Sequence, residues 1–137
     1  MNAGNYIYAK LAATAGVTAL VSTRIYPVLT PQENAYPAIV YSVSNQPLDA
    51  NMKDRGPYHD RATVSFTYWA DIQFGQDAYT SLDSIDSAVR TALDFVAATA
   101  GGVTVETCKY LGSEDVFNEE RTLLGRNATY QMTIKNA

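Results

Sequence analysis

The sequence predicts an α+β domain built from a single, mostly antiparallel sheet, with one long amphipathic helix packed across it and a short helix at the N-terminus. Three observations lead there. Apolar residues recur with a period of two in three segments, and between the second and third of these a long stretch repeats them at three and four. The resulting order, helix, three strands, helix, two strands, is that of a sheet with a helix laid over it. With 137 residues, 47% of them hydrophobic and 18% charged, the chain has the length of one domain spanning 1–137, able to bury a core without a disulfide or metal staple.

The first helix is expected from Tyr6 to Thr14, where Tyr6, Ala9 and Ala13 with Ile7 and Leu11 give helical spacings, and Gly16 is expected to end it. Val17 to Val21 reads as one more helical turn, and Arg24-Ile25-Tyr26 as a short strand. Pro27 and Pro31 each remove an amide donor, so Val28 to Tyr36 is expected to be a connecting loop.

Ile39, Tyr41 and Val43 alternate with Ala38, Val40 and Ser42, making this strand apolar on nearly both faces and placing it centrally in the sheet. Ala62 to Ala70 sets Val64, Phe66 and Tyr68 against Thr63, Ser65, Thr67 and Trp69. The long helix follows, with Ala78, Leu82, Ile85, Val89, Ala92, Leu93 and Val96 on one side and Gln76, Asp83, Asp86, Arg90 and Asp94 on the other. Gly75 marks its start and Gly101-Gly102 its exit. Val103 to Leu111 is a diluted strand. The final strand is the cleanest, with Ala128, Tyr130, Met132 and Ile134 facing one way and Asn127, Thr129, Gln131 and Thr133 the other. One face of the sheet is therefore wet, or covered by something outside this chain. Two loops, Asn45 to Arg61 and Gly112 to Arg126, are longer than the connections require.

Composition excludes several chemistries. Cys108 is the only cysteine, so no intrachain disulfide or thiolate zinc site can form from one chain, and a reducing compartment is expected. His59 is the only histidine, leaving one possible base for any nucleophile pair, and its polar surroundings, Gly56 to Asp60, read as a solvated loop. Fourteen acidic against ten basic residues give a net charge of −4, which argues against phosphate binding as the main task. Met1 to Asn5 lacks the features of a signal peptide, and no apolar run is long enough to span a bilayer, so a soluble cytoplasmic product is expected.

Candidate sites are sparse. Asp49 to Asp54 has a trace of calcium-loop spacing, but Lys53 occupies a ligand position and no terminal glutamate follows. Glu114-Asp115 and Glu119-Glu120 could supply two carboxylates for acid and base work, yet they lie in a polar loop where solvation is the default. The glycines match neither a dinucleotide nor a P-loop pattern. Asn127-Ala128-Thr129 is a formal sequon better read as the start of a strand. Tyr6, Tyr41, Tyr68 and Tyr130 fall on core-facing periods and read as packing residues with a polar rim, not as stacking platforms. No catalytic, cofactor or metal site is expected; interaction remains, by elimination.

Read in order, AGVTALVSTRIYPVLTPQENAYPAIVYSVSN, from Ala15 to Asn45, resembles the opening of the tail-completion or tail-terminator family of long-tailed bacteriophages. Its landmarks are Ala15 to Val21, Arg24 to Pro27 and Pro37 to Tyr41. Farther on, Val64 to Ala70, the helical LDSIDSAVRTALD of Leu82 to Asp94, and the closing Leu124 to Lys135 are similar to the family's later elements. The resemblance implies a structural virion protein of the tail or neck, assembled in the host cytoplasm, with no catalytic residues and no cofactor. Its subunits would form a homo-oligomeric, hexameric ring that caps the tail tube and joins it to the head connector. Its partners would be the major tail tube protein and the head-connector or head-closure protein, with no membrane and with DNA passing through the lumen without tight binding. The long Asn45 to Arg61 loop departs from the family.

A closed ring needs heterologous contacts, and charged loops suit them. Lys53, Arg55, Tyr58, His59, Glu119 and Arg121 are accordingly expected at subunit or tube interfaces. The alternatives are another neck component, such as a head-closure or adaptor protein, a minor tail protein, a bacterial binding module, or a small hydrolase using the acidic loop residues with His59.

Overall fold

Side chains spaced three and four apart give the first segment one buried side. Ala3, Tyr6, Ile7 and Leu11 are all buried along helix α1, Ala3–Ala12, in a computed structural model that describes residues 3–22, 24–27, 37–47, 59–71, 76–117 and 123–135. A threonine makes the break after it. Thr14 is extended, with φ −93° and ψ 111°. Its hydroxyl donates to the Lys10 carbonyl at 2.7 Å, and its own carbonyl accepts the Val17 and Thr18 amides at 3.1 Å. Such local hydroxyl bonds compete with helix continuation. Helix α2, Ala15–Val21, starts directly afterwards. Gly16, expected to stop the first helix, therefore lies inside the second.

Six strands form one sheet: β1 (Ile25–Pro27), β2 (Ala38–Pro47), β3 (His59–Asp71), β4 (Ala98–Ala100), β5 (Val103–Phe117) and β6 (Leu123–Lys135), in the order β1-β2-β3-β6-β5-β4. The sheet is mixed, which corrects the expectation of a mostly antiparallel one: β1 runs parallel to β2, with Ile25 opposite Ile39. Arg24 fixes that direction. Its Nε donates to the Pro37 carbonyl at 2.8 Å and its carbonyl accepts the Ile39 amide at 2.9 Å, so both strands leave from the same end. The apolar strand β2 is flanked on both sides but is not central, because β3 and β6 hold the middle. Val28 to Tyr36 lie outside the described residues.

Helix α3, Gln76–Leu93, buries Ala78, Leu82, Ile85, Val89, Ala92 and Leu93 as its spacing predicts. Val96 lies beyond its end. The exit is made by Asp94 and Phe95, not by the paired glycines. Phe95 adopts φ 59° and donates its amide to the Cys108 carbonyl at 2.9 Å, while Asp94 Oδ1 accepts the Tyr110 amide at 2.9 Å. Gly101 and Gly102 instead form the turn between β4 and β5 with φ 58° and 76°. A Cβ on Gly101 would collide with the Asn5 carbonyl of α1, so no other residue fits there.

The core lies between the helices and one face of the sheet. Val64, Phe66 and Tyr68 of β3 and Ala128, Tyr130, Met132 and Ile134 of β6 are fully buried against the helices, together with Ile39, Val105 and Cys108. Phe66 meets Tyr130 edge to face at 5.5 Å between ring centres. The two long loops shrink. Strand pairing runs from Ala38 opposite Trp69 to Pro47 opposite Asp60, so residues 45–47 and 59–61 belong to strands, and His59 opens β3 where a loop was expected. Likewise β5 continues to Phe117 opposite Leu124. Cross-strand partners impose the extended state on polar residues 112–117, whose own pattern carries no strand signal.

Candidate functional site

On the helix side, the pairing of β5 with β6 brings Asp115 opposite Arg126, and α3 crosses above them. Arg126 is the one charged residue among the described ones that is buried, at 7% exposure. Its Nε donates to Asp115 Oδ1 at 3.0 Å, its Nη1 donates to Asp83 Oδ1 of α3, and Asp86 Oδ2 lies 3.9 Å away. Tyr79 stacks its ring 5.1 Å from the guanidinium carbon and donates its hydroxyl to Asp115 Oδ2 at 3.4 Å. Burial alone would lower the Arg126 pKa, but the bonds and charges of Asp83 and Asp115 outweigh it and hold the guanidinium above its ordinary value. This cluster ties helix to hairpin. A parallel tie lies nearby, where Arg90 sits 4.2 Å over the Tyr110 ring and pairs with Asp94 at 3.2 Å.

Beneath these ties the hydroxyls of Tyr6, Tyr68 and Tyr130 and the Oδ1 of Asp86 are buried without hydrogen-bond partners. The tyrosine hydroxyls thus reach into the core and form no polar rim. Burial, then the neighbouring Tyr130 and Asp86, push the Tyr68 hydroxyl well above the usual tyrosine range, although Tyr130 completes no hydrogen bond of good geometry with it. Burial raises Asp86 too, only partly offset by Arg126 and Arg90. The Cys108 thiol is pushed up to about 12, chiefly by burial and then by Asp94, which makes it an inert packing group. The tyrosine hydroxyls and the thiol, held neutral in a packed core, serve packing.

Among the described residues the opposite face carries no helix. Thr63, Ser65, Thr67 and Trp69 of β3 and Asn127, Thr129, Gln131 and Thr133 of β6 alternate with the core residues and are half-buried or exposed. The Thr67 hydroxyl donates to Asn127 Oδ1 at 2.6 Å. Large apolar side chains exposed among the described residues are Tyr8, Tyr79, Phe95, Leu111 and Phe117.

Of the residues expected at interfaces, Lys53, Arg55, Tyr58, Glu119 and Arg121 lie outside the described residues, and His59 is the first residue of β3, opposite Lys135. The calcium-like segment Asp49 to Asp54 and the pair Glu119-Glu120 also lie outside them. Glu114 and Asp115 stand on β5, not in a loop, with Asp115 held by Arg126. Among the described residues no three His, Cys, Asp or Glu side chains come together as metal ligands, and no helix is long and apolar enough to cross a membrane. The Arg126 cluster was not anticipated: Asp83 and Asp86 share a helical spacing, but Arg126 lies 43 positions from Asp83.

The family model of the tail completion protein gp17 matches residues 5–135. Among solved structures, a chain from the virion of a native gene transfer agent particle has the same fold, with TM-score 0.75 and 16% identity over 95% of this chain and 92% of that one. A second solved structure reaches TM-score 0.68 at 8% identity, over 100% of this chain and 98% of that one. No curated protein matches the sequence.

Proposed function

Because this chain belongs to the tail completion protein gp17 family, matching its model over residues 5–135, we propose that it forms a ring that caps the finished tail tube and joins it to the head. It is a structural protein of the virion tail, not an enzyme. In this reading one domain spans 1–137, six copies close the ring in the host cytoplasm, and the partners are the major tail tube protein on one side and the head-connector or head-closure protein on the other.

The observation that carries the reading is where the described strands end. Pro47 and His59 end β2 and open β3 at the end of the sheet where β6 finishes, and Phe117 and Leu123 end β5 and open β6 at the opposite end. Of the proposed interface set, Lys53, Arg55, Tyr58, Glu119 and Arg121 lie outside the described residues, and His59 opens β3 at the first of these ends. A joining subunit needs two dissimilar ends, and heterologous contacts between neighbours close a ring. The Arg126 cluster keeps helix layer and sheet rigid between those ends.

Electron microscopy of the purified chain mixed with tail tubes tests this. Rings docked on tube ends are the expected result. A chain that ignores tubes and binds only the head connector would make it a different neck component.

A further inference from the structure

Cations on this acidic chain are not evenly spread. Strand register sets the helix-free face of β3, β6 and β5 as a grid: His59, Lys135 and Thr104 in one row, Arg61, Thr133 and Thr107 in the next, Thr63, Gln131 and Lys109 in the third. Strand spacing makes the grid roughly 10 by 14 Å. Arg61, Lys109 and Lys135 are exposed, and no ion pair among the described residues engages them. One carboxylate borders the grid: Glu106, exposed in the bulge between Val105 and Thr107. The face's own acidic residues, Glu114 and Asp71, stand at its far end. On a chain of net charge −4, the described residues of this corner set three cations against one carboxylate.

We infer that this corner of the helix-free face contacts the phosphate backbone of double-stranded DNA. Composition selects that occupant over an acidic protein surface. A protein interface is anchored by buried apolar and aromatic side chains, and none stands in the grid. Threonine and glutamine around three cations match the donors that phosphates use. The contact is weak by design: three phosphates neutralised give a salt slope of roughly −3, and the remaining negative charge limits affinity further. Such a surface steadies a passing duplex without arresting it. The inference rests on the ring reading, in which this face would turn to the lumen, and it specifies what meets the DNA there.

Titrating isotope-labelled protein with a short DNA duplex at low salt tests it by amide shifts. The shifts are expected on β3, β5 and β6 around Arg61, Lys109 and Lys135, to fade with a salt slope of roughly −3, and to weaken about tenfold or more in Lys109→Glu/Lys135→Glu. These are exposed positions, and an unchanged melting temperature would show that the variant is folded; Arg61→Gln gives an independent second variant. No shifts, shifts centred on α3, binding that survives charge reversal, or equal shifts with polyglutamate would each overturn the inference. Tube capping is scored separately. A chain that binds DNA here but never caps tubes removes the ring reading and keeps the contact, and a chain that caps tubes without touching DNA does the reverse.

Discussion

Trp69 lies directly over Gly125. The two are opposite each other in the β3–β6 pairing, and a Cβ on Gly125 would come within 2.7 Å of the ring atoms Cε3 and Cζ3 and 3.0 Å from Val116 Cγ2. The glycine thus gives the indole a seat on the helix-free face. Gly125→Ala should force the ring aside and destabilise the fold by about 1–3 kcal/mol, the usual cost of overpacking. Urea unfolding followed by Trp69 fluorescence measures it, and an unchanged midpoint would show that the ring moves at no cost.

Arg126→Met keeps much of the side-chain volume and removes the charge that faces three carboxylates. Asp83 and Asp115 are about half exposed and lose little, but Asp86 is 83% covered and keeps only the more distant Arg90 as a counter-charge. A loss of about 1–3 kcal/mol is expected, with a good part recovered in Arg126→Met/Asp86→Asn. A denaturation double-mutant cycle reads the coupling, and strictly additive effects would dissolve the cluster.

Asp86 alone makes a prediction of opposite sign. Burial raises its pKa above the ordinary 3.8, so the fold favours its neutral form and the charge is a burden at neutral pH that disappears as pH falls to about 3.8 and below. Asp86→Asn should raise the melting temperature at neutral pH, with the gain shrinking toward acid. A constant difference across pH would assign the effect to something other than titration.

At high pH the same sign holds for the buried thiol and tyrosines. An unfolded thiol ionises near 9 and unfolded tyrosines near 10, while Cys108 is raised to about 12 and Tyr6, Tyr41, Tyr68 and Tyr130 also lie above their ordinary value. Stability is therefore complete below about pH 9 and declines as pH rises through the raised values. Melting temperatures across pH 8 to 11 check this. Cys108→Ala should flatten the part of the decline that begins near 9.

Alanine at Arg55, Tyr58 and Arg121 together should leave melting unchanged and abolish ring formation or tube joining. Intact rings on tube ends by electron microscopy would remove these residues from the interface.

Half-burial is what makes a strand readable. In β6 the core takes Ala128, Tyr130, Met132 and Ile134 and leaves the residues between them to solvent, so its pattern announced it. Gly112 to Phe117 lies at the sheet's margin with most side chains exposed, and only its partners make it a strand. Pairing direction was equally hidden, since the Arg24 bonds that set β1 parallel reach Pro37 and Ile39, across a stretch with no period of its own. Arg126 meets Asp83 from 43 positions away, beyond any local period. The glycines misled for a related reason: Gly16 and Gly101 resemble stop signals, whereas Thr14 and Phe95 end the helices through bonds that only the folded chain supplies.

Both margins of the sheet finish in three-residue strands, Ile25–Pro27 closing on a proline and Ala98–Ala100. Beyond β4 the Asp94 carboxylate and the Phe95 amide occupy the next backbone groups of β5, at Tyr110 and Cys108. Short, bonded or proline-ended margins are poor templates for stray strand addition. Newly made copies can therefore accumulate to the numbers a virion assembly needs without clumping edge to edge.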